Sequence, residues 1–306
     1  MRIATLNVQN LRLRKVDGED QLHGAWDGDD PEDESLDPID RRLTADLVAG
    51  ANADVIALQE VFDLETLDYF HDMYLRQTGV LPYPHRVCLP GNDGRGFNVA
   101  LMSRREISAL QSHADLMPED LNEELPRDAR LDQPIFRRDC VLATIGGLVC
   151  AVCHFKSPYP DPLKAWTARR LEALATRHII ERTFADHADS LWLILGDLNE
   201  PARQAAGRGP AIAPLTTDFA VDLMQRVPEA ERWTYFDAHS GRYACPDAML
   251  ASPDLARRYP LARPFILRKG LGREARRFGG SRLTRVGEHR PHASDHAAVA
   301  IDLPGL

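Results

Sequence analysis

The sequence predicts an α/β protein built on a mixed β-sheet, and three observations carry that expectation. Short apolar runs rich in Val, Ile, Leu and Ala alternate with longer stretches of helical periodicity along the 306 residues. These runs lack the polar alternation of half-exposed strands, so they read as strands covered on both faces. Thr144-Ile145-Gly146-Gly147-Leu148 reads as a hairpin with a Gly-Gly turn. It sets Cys140–Ile145 antiparallel to Leu148–Phe155, so the sheet is not purely parallel.

The first strand is expected over Arg2–Asn7, with no apolar leader before it. A helix follows over Arg41–Asn52, where Leu43, Leu47 and Val48 share a face. A strand over Asp54–Leu58 leads to a helix over Leu64–Gln77, with Asp63 placed to cap it. Strands over Phe97–Ser103, Arg138–Ile145 and Leu148–Phe155 come next. The longest helix, Pro162–His187, opens on a proline suited to a first turn. Leu163, Trp166, Leu171, Leu174 and Ile179 keep roughly helical spacing along it, with Arg169 and Arg170 between them. Strands over Ser190–Leu195, Asp247–Ala251 and His296–Leu303 complete the set, and Glu200–Pro214 reads as a loop. With no repeat and no linker, and with chemistry at both ends of the chain, a single domain over 1–306 is expected.

Hydrophobic residues at 44% and charged residues at 27% suit a soluble globular protein. No run approaches the ~18 apolar residues of a membrane helix. Five cysteines, an odd and sparse set, suit reduced thiols and a cytoplasmic location. The net charge of -9 conceals an asymmetry: Asp17 to Asp40 holds eleven acids and no Lys or Arg. That segment, 17–40, is expected to be a solvated and mobile acidic loop; as a calcium site it fails the EF-hand spacing. Arg257 to Arg290 carries eleven Lys and Arg against Glu274 and Glu288. That stretch is either the lining of a groove for a polyanion or scattered surface arginine.

The chemistry sits where apolar runs end. Leu193-Ile194-Leu195-Gly196-Asp197-Leu198-Asn199-Glu200 finishes on two oxygen-bearing side chains. Thr5-Leu6-Asn7, Ala57-Leu58-Gln59-Glu60 and Ala293-Ser294-Asp295-His296 offer matching groups, and Val152-Cys153-His154 adds an imidazole. Asn7, Glu60, Asp197, Asn199, Asp247 and Asp295 are all hard oxygen donors, which favour Mg²⁺ or Mn²⁺ over zinc. His154 and His296 can move protons or contact phosphate. Lys156, two residues past His154 and so on the same strand face, can reach a phosphate as a point charge. Arg138 opens a strand and could clamp a phosphate oxygen. Arg95 and Asn98 lie where a loop feeds a strand, and Arg170 solubilises its helix.

Taken in order, Asn7, Gln59-Glu60, His154, Gly196-Asp197-Leu198-Asn199, Asp247 and Ser294-Asp295-His296 resemble the endonuclease/exonuclease/phosphatase superfamily. Its members include pancreatic-type deoxyribonucleases, exonuclease III-type repair enzymes, inositol polyphosphate 5-phosphatases and neutral sphingomyelinases. The resemblance runs from Arg2 to Leu303. It implies a four-layer α/β sandwich, with two mixed β-sheets packed face to face and helices outside. It further implies that Glu60 is the principal metal ligand, with Asn7 and Asp295 beside it. Asp197 would orient or deprotonate the attacking water, and Asn199 would bind the scissile phosphate. His296 would contact that phosphate, paired with Asp247, and His154 would face it as well. Met249 stands where many relatives carry an aromatic or aliphatic residue, a difference of packing.

Cys150-Ala151-Val152-Cys153-His154 also fits the C-x-x-C-H haem pattern, but it reads as a strand after a hairpin, where covalent haem is not attached. The function expected is hydrolysis of a phosphodiester with Mg²⁺ or Mn²⁺, nucleic acid being one substrate. The alternatives are a phosphomonoesterase or phospholipase C-like enzyme on a small organophosphate or lipid headgroup, and a non-catalytic binding module of this fold. The Arg257–Arg290 stretch favours nucleic acid; the negative net charge and few aromatics weigh against it.

Overall fold

Side-chain alternation along the strands divides the apolar residues between three layers of core. The computed structural model describes residues 1–25, 35–121, 123–204 and 207–306. Among these, the first half of the chain forms strands β1 (Arg2–Leu11), β2 (Leu13–Val16), β3 (Glu19–Leu22), β4 (Val55–Val61), β5 (His85–Cys88), β6 (Asn98–Ser103), β7 (Ala109–Gln111), β8 (Cys140–Ile145) and β9 (Leu148–His154). The second half forms β10 (Trp192–Asp197), β11 (Val221–Asp222), β12 (Tyr235–Asp237), β13 (Arg242–Ala244), β14 (Asp247–Ala251), β15 (Phe265–Leu267) and β16 (Ala298–Asp302). Helices are α1 (Asp37–Ala51), α2 (Leu64–Met73), α3 (Pro162–Thr183), α4 (Ala213–Thr216) and α5 (Pro253–Arg258).

Two six-stranded sheets result, ordered β15-β16-β1-β4-β6-β5 and β11-β14-β10-β9-β8-β7. Each is mixed: β1 with β4 and β9 with β10 are parallel, and the remaining pairs are antiparallel. Ile3, Val55, Ala57, Val99 and Leu101 of the first sheet meet Val141, Val152, Leu193, Leu195 and Met249 of the second. Their sequence neighbours Ala4, Ile56, Leu58 and Met102 turn the other way, onto Leu43, Leu47 and Val48 of α1 and Leu67 and Phe70 of α2. Cys140, Leu142, Ala151, Trp192 and Ile194 likewise turn onto Leu171, Leu174 and Ile179 of α3. A period of two with both faces buried produces the continuous apolar runs seen in the sequence. The architecture is therefore helix, sheet, sheet, helix, as expected.

The element boundaries differ from expectation for local reasons. α1 starts at Asp37 and not Arg41, because Pro38 is accommodated in the first turn. Asp63 does cap α2, accepting the Thr66 N–H at 2.7 Å, but the helix gives way after Met73 to a 3-10 turn over Leu75–Thr78. α3 stops at Thr183, and beyond it Asp186 captures the N–H groups of Ala188 and Asp189 at 3.1 Å. β8 begins at Cys140, so Arg138 precedes it. No helix of the described residues is long and apolar enough to cross a membrane.

The acidic 17–40 segment is more ordered than its composition suggests. Residues 19–22 form β3 against β2, while 26–34 lie outside the described residues. Asp37 and Asp40 are buried in the first turn of α1 and pair with Arg290, at 2.9 and 2.5 Å. Arg14 adds a further pair to Asp37 at 2.6 Å. Next to them Arg41 is fully buried. It donates to the carbonyls of Val8 (2.7 Å), Gln9 (2.7 Å), Asn10 (2.9 Å), Gly24 (2.6 Å) and His23. Gln9 and Asn10 have left-handed backbones, φ 49° and 57°, so these carbonyls turn away from the sheet and the guanidinium collects them. Burial lowers the Arg41 pKa to about 10, against the pull of Asp40 and Asp37, so it stays charged at neutral pH. Arg41→Met is expected to cost roughly 3 kcal/mol by stranding five buried carbonyls. Urea unfolding monitored by circular dichroism reads this directly, and an unchanged midpoint would contradict it.

The coil between β15 and β16 is held by arginine in place of regular structure. Arg268 donates to the carbonyls of Trp233 and Glu231, Arg273 to Val286, and Arg282 to Phe278, Gly272 and Ala275. With Arg290 committed to Asp37 and Asp40, four cations of the basic stretch serve as internal clamps. The groove for a polyanion expected there loses those four.

Candidate active site

Strand register assembles the site. β10 lies between β9 and β14, with Asp197 opposite His154 on one side and opposite Asp247 on the other. In the first sheet Asn7 of β1 is level with Gln59 of β4, which places Glu60 one residue further along. Gly196 permits this convergence: its φ is 138°, and a Cβ there would sit 1.9 Å from the Cys153 carbonyl oxygen. Glu60 (φ 66°) and Asn199 (φ 53°) are also left-handed, which re-aims their side chains at the ends of their strands.

Asp197 is the centre. Its Oδ2 accepts from Asn7 Nδ2 at 3.1 Å and faces the Nε2 atoms of His154 at 3.6 Å and His296 at 3.8 Å. Its Oδ1 accepts the Asn199 N–H at 2.9 Å. Burial pushes its pKa up to about 6, with Asp247 adding to the rise and His296 and Asn7 opposing it. The Asn7 amide nitrogen also donates to Glu60 Oε1 at 3.2 Å, and Glu60 Oε2 accepts the Asn10 N–H at 3.0 Å.

The two histidines are driven in opposite directions. For His296 burial opposes the charge, but Asp247, Asp295 and Asp197 outweigh it and hold the pKa well above the ordinary value. Its Nδ1 lies 2.9 Å from Asp247 Oδ2, and Tyr235 packs on the ring at 4.7 Å between centroids. His154 is pushed well below the ordinary value, first by burial and then by the charges of Arg138, His296, Arg95 and Lys156. An imidazolium and a neutral imidazole thus face one carboxylate oxygen, an acid and an acceptor set apart by environment. Asp295 is anchored through its N–H to Gln9 Oε1 at 3.0 Å, and Ser294 Oγ donates to the Asn7 carbonyl at 2.7 Å.

Asn7, Glu60, His154, Asp197, Asn199, Asp247, Asp295 and His296 are thereby brought to one end of the two sheets. Arg138 and Lys156 are placed differently from expectation. Lys156 lies beyond the end of β9, so it shares no strand face with His154, and its ammonium turns back to Ser157 (3.0 Å to the carbonyl) and to the Tyr159 carbonyl. Arg138 is buried, 3.0 Å from Asp93 and 3.4 Å from the Phe155 carbonyl. Asn98 is structural: it accepts the Gly91 N–H at 2.7 Å and donates to the Phe62 carbonyl at 2.6 Å. Arg170 lines a separate cavity with Arg177 and Asp218. The C-x-x-C-H cysteines are free, buried thiols within β9.

Gln9, Asp93, Glu172 and Tyr235 escaped the sequence reading. Only Asp93 left a signal, the turn-rich Gly91-Asn92-Asp93-Gly94-Arg95-Gly96 before a strand. Glu172 of α3 is fully buried and accepts the N–H groups of Lys156 at 2.7 Å and Arg137 at 3.5 Å. Burial raises its pKa from 4.5 to about 7, with those N–H groups, Arg138 and Arg169 opposing the rise. Below pH 4.5 the carboxyl is protonated in both folded and unfolded chains, and its contribution to stability is fully present. As pH rises to 7 only the folded chain keeps the proton, and that contribution is lost, by about 3 kcal/mol. The stability of Glu172→Gln relative to wild type should therefore improve between those pH values and level off above them. Parallel urea-unfolding curves across the window would refute the assignment.

The donor set fits a hard divalent cation. A carboxamide and a carboxylate meet at Asn7 and Glu60, with Asp295 on the neighbouring segment, all oxygen-bearing groups. The Asn7 amide nitrogen lies between the carboxylates of Glu60 and Asp197, where it offsets negative charge that a cation would otherwise neutralise. Among the described residues no cluster of three or more His, Cys, Asp or Glu side chains is closed around a metal position.

Solved structures share the architecture. An AP endonuclease from Archaeoglobus fulgidus superposes with a TM-score of 0.59 at 17% identity, over 99% of both chains. A 3'-5' exonuclease from Neisseria meningitidis gives 0.56 at 17% identity, also over 99% of both. Truncated TDP2 from Caenorhabditis elegans gives 0.57 at 15% identity, over 98% of this chain and 95% of that one. No curated protein sequence matches the chain. The profile described as Endonuclease/Exonuclease/phosphatase family matches residues 4–296, which carry every site residue named above. The chain belongs to the endonuclease/exonuclease/phosphatase family, whose members are enzymes that hydrolyse phosphate esters.

Proposed function

We propose that the protein hydrolyses phosphodiesters with the help of Mg²⁺ or Mn²⁺, nucleic acid being the first substrate class to test. The observation that supports this most is the meeting of Asn7, His154 and His296 on Asp197 Oδ2. Asn7, Glu60 and Asp295 would hold the cation, which when bound would offset charge on the phosphoryl oxygens. Asp197, with a pKa near 6, is suited to take the proton of the attacking water at neutral pH. His296, charged and braced by Asp247, donates to a phosphoryl oxygen as negative charge grows there. His154 stays neutral and offers a second contact without adding charge. Asn199, its amide 3.0 Å from the Phe155 carbonyl, is fixed at the mouth of the site to orient the phosphate.

The test is hydrolysis of bis(p-nitrophenyl) phosphate, p-nitrophenyl phosphate, plasmid and single-stranded DNA, with and without chelator. Diester turnover is expected to vanish with chelator and return with Mg²⁺ or Mn²⁺, with His296→Ala inactive alongside. Turnover of the monoester alone would replace this reading with a phosphomonoesterase. Chelator-resistant diester turnover would remove the metal from it.

A further inference from the structure

We propose that the cavity formed by Asp93, Arg95, Arg137, Arg138, Lys156 and Tyr159 binds a second phosphate group of the substrate, adjacent to the one that is cleaved. This rests on the phosphodiester reading and narrows its substrate class to esters that carry a further phosphate. The cavity holds about 420 Å³, within the range of small-ligand pockets and larger than one phosphate requires. It adjoins the reaction centre: the Phe155 carbonyl accepts from Asn199 Nδ2 at 3.0 Å and from Arg138 Nη1 at 3.4 Å. Asn199 and Arg138 thus stand on two sides of one oxygen.

Charge decides the ligand. Four cations line the cavity against one carboxylate, Asp93, which lies 3.0 Å from Arg138 and 3.4 Å from Arg95, and the Lys156 ammonium is held in the wall by the Ser157 and Tyr159 carbonyls. The buried Glu172 behind the wall is engaged by the N–H groups of Lys156 and Arg137. The Arg95 side chain is 61% exposed, with its Cζ over the Phe97 ring at 4.5 Å from the centroid. The cations crowd one another: Lys156 is held below its ordinary pKa, first by burial and then by Arg138. A bound phosphate relieves that repulsion, and guanidinium groups match phosphate oxygens in pairs. Tyr159, 65% exposed at the rim, presents a ring on which a base can stack.

The substrate pair is thymidylyl-thymidine with and without a 5′-phosphate, assayed with wild type, Arg95→Ala and Arg137→Ala. Wild type should prefer the two-phosphate dinucleotide about tenfold or more in kcat/KM, the value of one charge-assisted hydrogen bond. Either substitution should collapse that ratio. In parallel, calorimetry measures pyrophosphate binding to Asp197→Asn, which needs no turnover. Binding should weaken about tenfold in the Arg95→Ala and Arg137→Ala double mutants with Asp197→Asn. Arginine-sensitive pyrophosphate binding without turnover of any diester would remove the hydrolytic reading and uphold the subsite. An unchanged ratio together with unchanged pyrophosphate binding would overturn it. The source of the second phosphate is read from Tyr159→Ala. A loss confined to the dinucleotide points to a nucleic acid strand, and no loss points to a small phosphorylated molecule.

Discussion

Asp197→Asn is expected to fold normally and to lose about 10²–10³-fold or more in kcat on any diester the wild type cleaves. The size follows from geometry. A single oxygen, Asp197 Oδ2, faces Asn7, His154 and His296, and asparagine keeps the volume while removing the proton acceptor. Stability should be spared because the lost charge is one that burial already disfavours. His296→Ala should cost a similar factor, and the pair together far less than the product, since both act on one transition state. Asp247→Asn should cost less than either: it leaves the imidazole in place and removes only the carboxylate that keeps it charged. Turnover of Asp197→Asn within a few-fold of wild type would sink the assignment of the base.

Gly196→Ala should be the most damaging substitution of a single methyl group. Its Cβ would lie 1.9 Å from the Cys153 carbonyl oxygen and 3.0 Å from the carbonyl carbon, both backbone atoms of the neighbouring strand. Gly196 and Cys153 are paired in register, so relief requires parting β9 from β10 in the middle of a sheet buried on both faces. Added to a φ of 138°, the expected loss is about 5 kcal/mol or more, comparable to the whole stability of many domains. The chain should be recovered unfolded or not at all. Gly147→Ala is the control: its φ is 84° but nothing lies within 4 Å of the added Cβ, so about 1 kcal/mol is expected. Equal denaturation midpoints for the two variants would show that the strand spacing is wrong.

The layered fold was legible in the sequence because burial on both faces leaves an unmistakable trace. Runs such as Leu193-Ile194-Leu195 must be apolar throughout when alternate residues enter different cores. Edge strands left no such trace. Ala109–Gln111 of β7 is exposed along its length, and β12, β13 and β15 are three residues each, held by neighbours more than by their own composition. The groups that converge at the ends of the sheets were legible too, since carboxylates, carboxamides and imidazoles at the ends of apolar runs are costly to keep without a use.

What the sequence by itself determined was the layer pattern and the inventory of chemical groups. Only the tertiary structure decided how those groups are used. His154 and His296 are the same side chain in one dimension, yet burial beside Arg138 holds one neutral while Asp247 holds the other charged. Arg290 and Arg268 read as surface charge until Asp40 and the Trp233 carbonyl claim them. Asp37 and Asp40, counted with a solvated loop, are buried partners of an arginine 250 residues or more away. The physical reason is common to all of these: protonation and pairing are set by desolvation and by charges within a few ångströms, and those neighbours are chosen by strand register and packing across the whole chain.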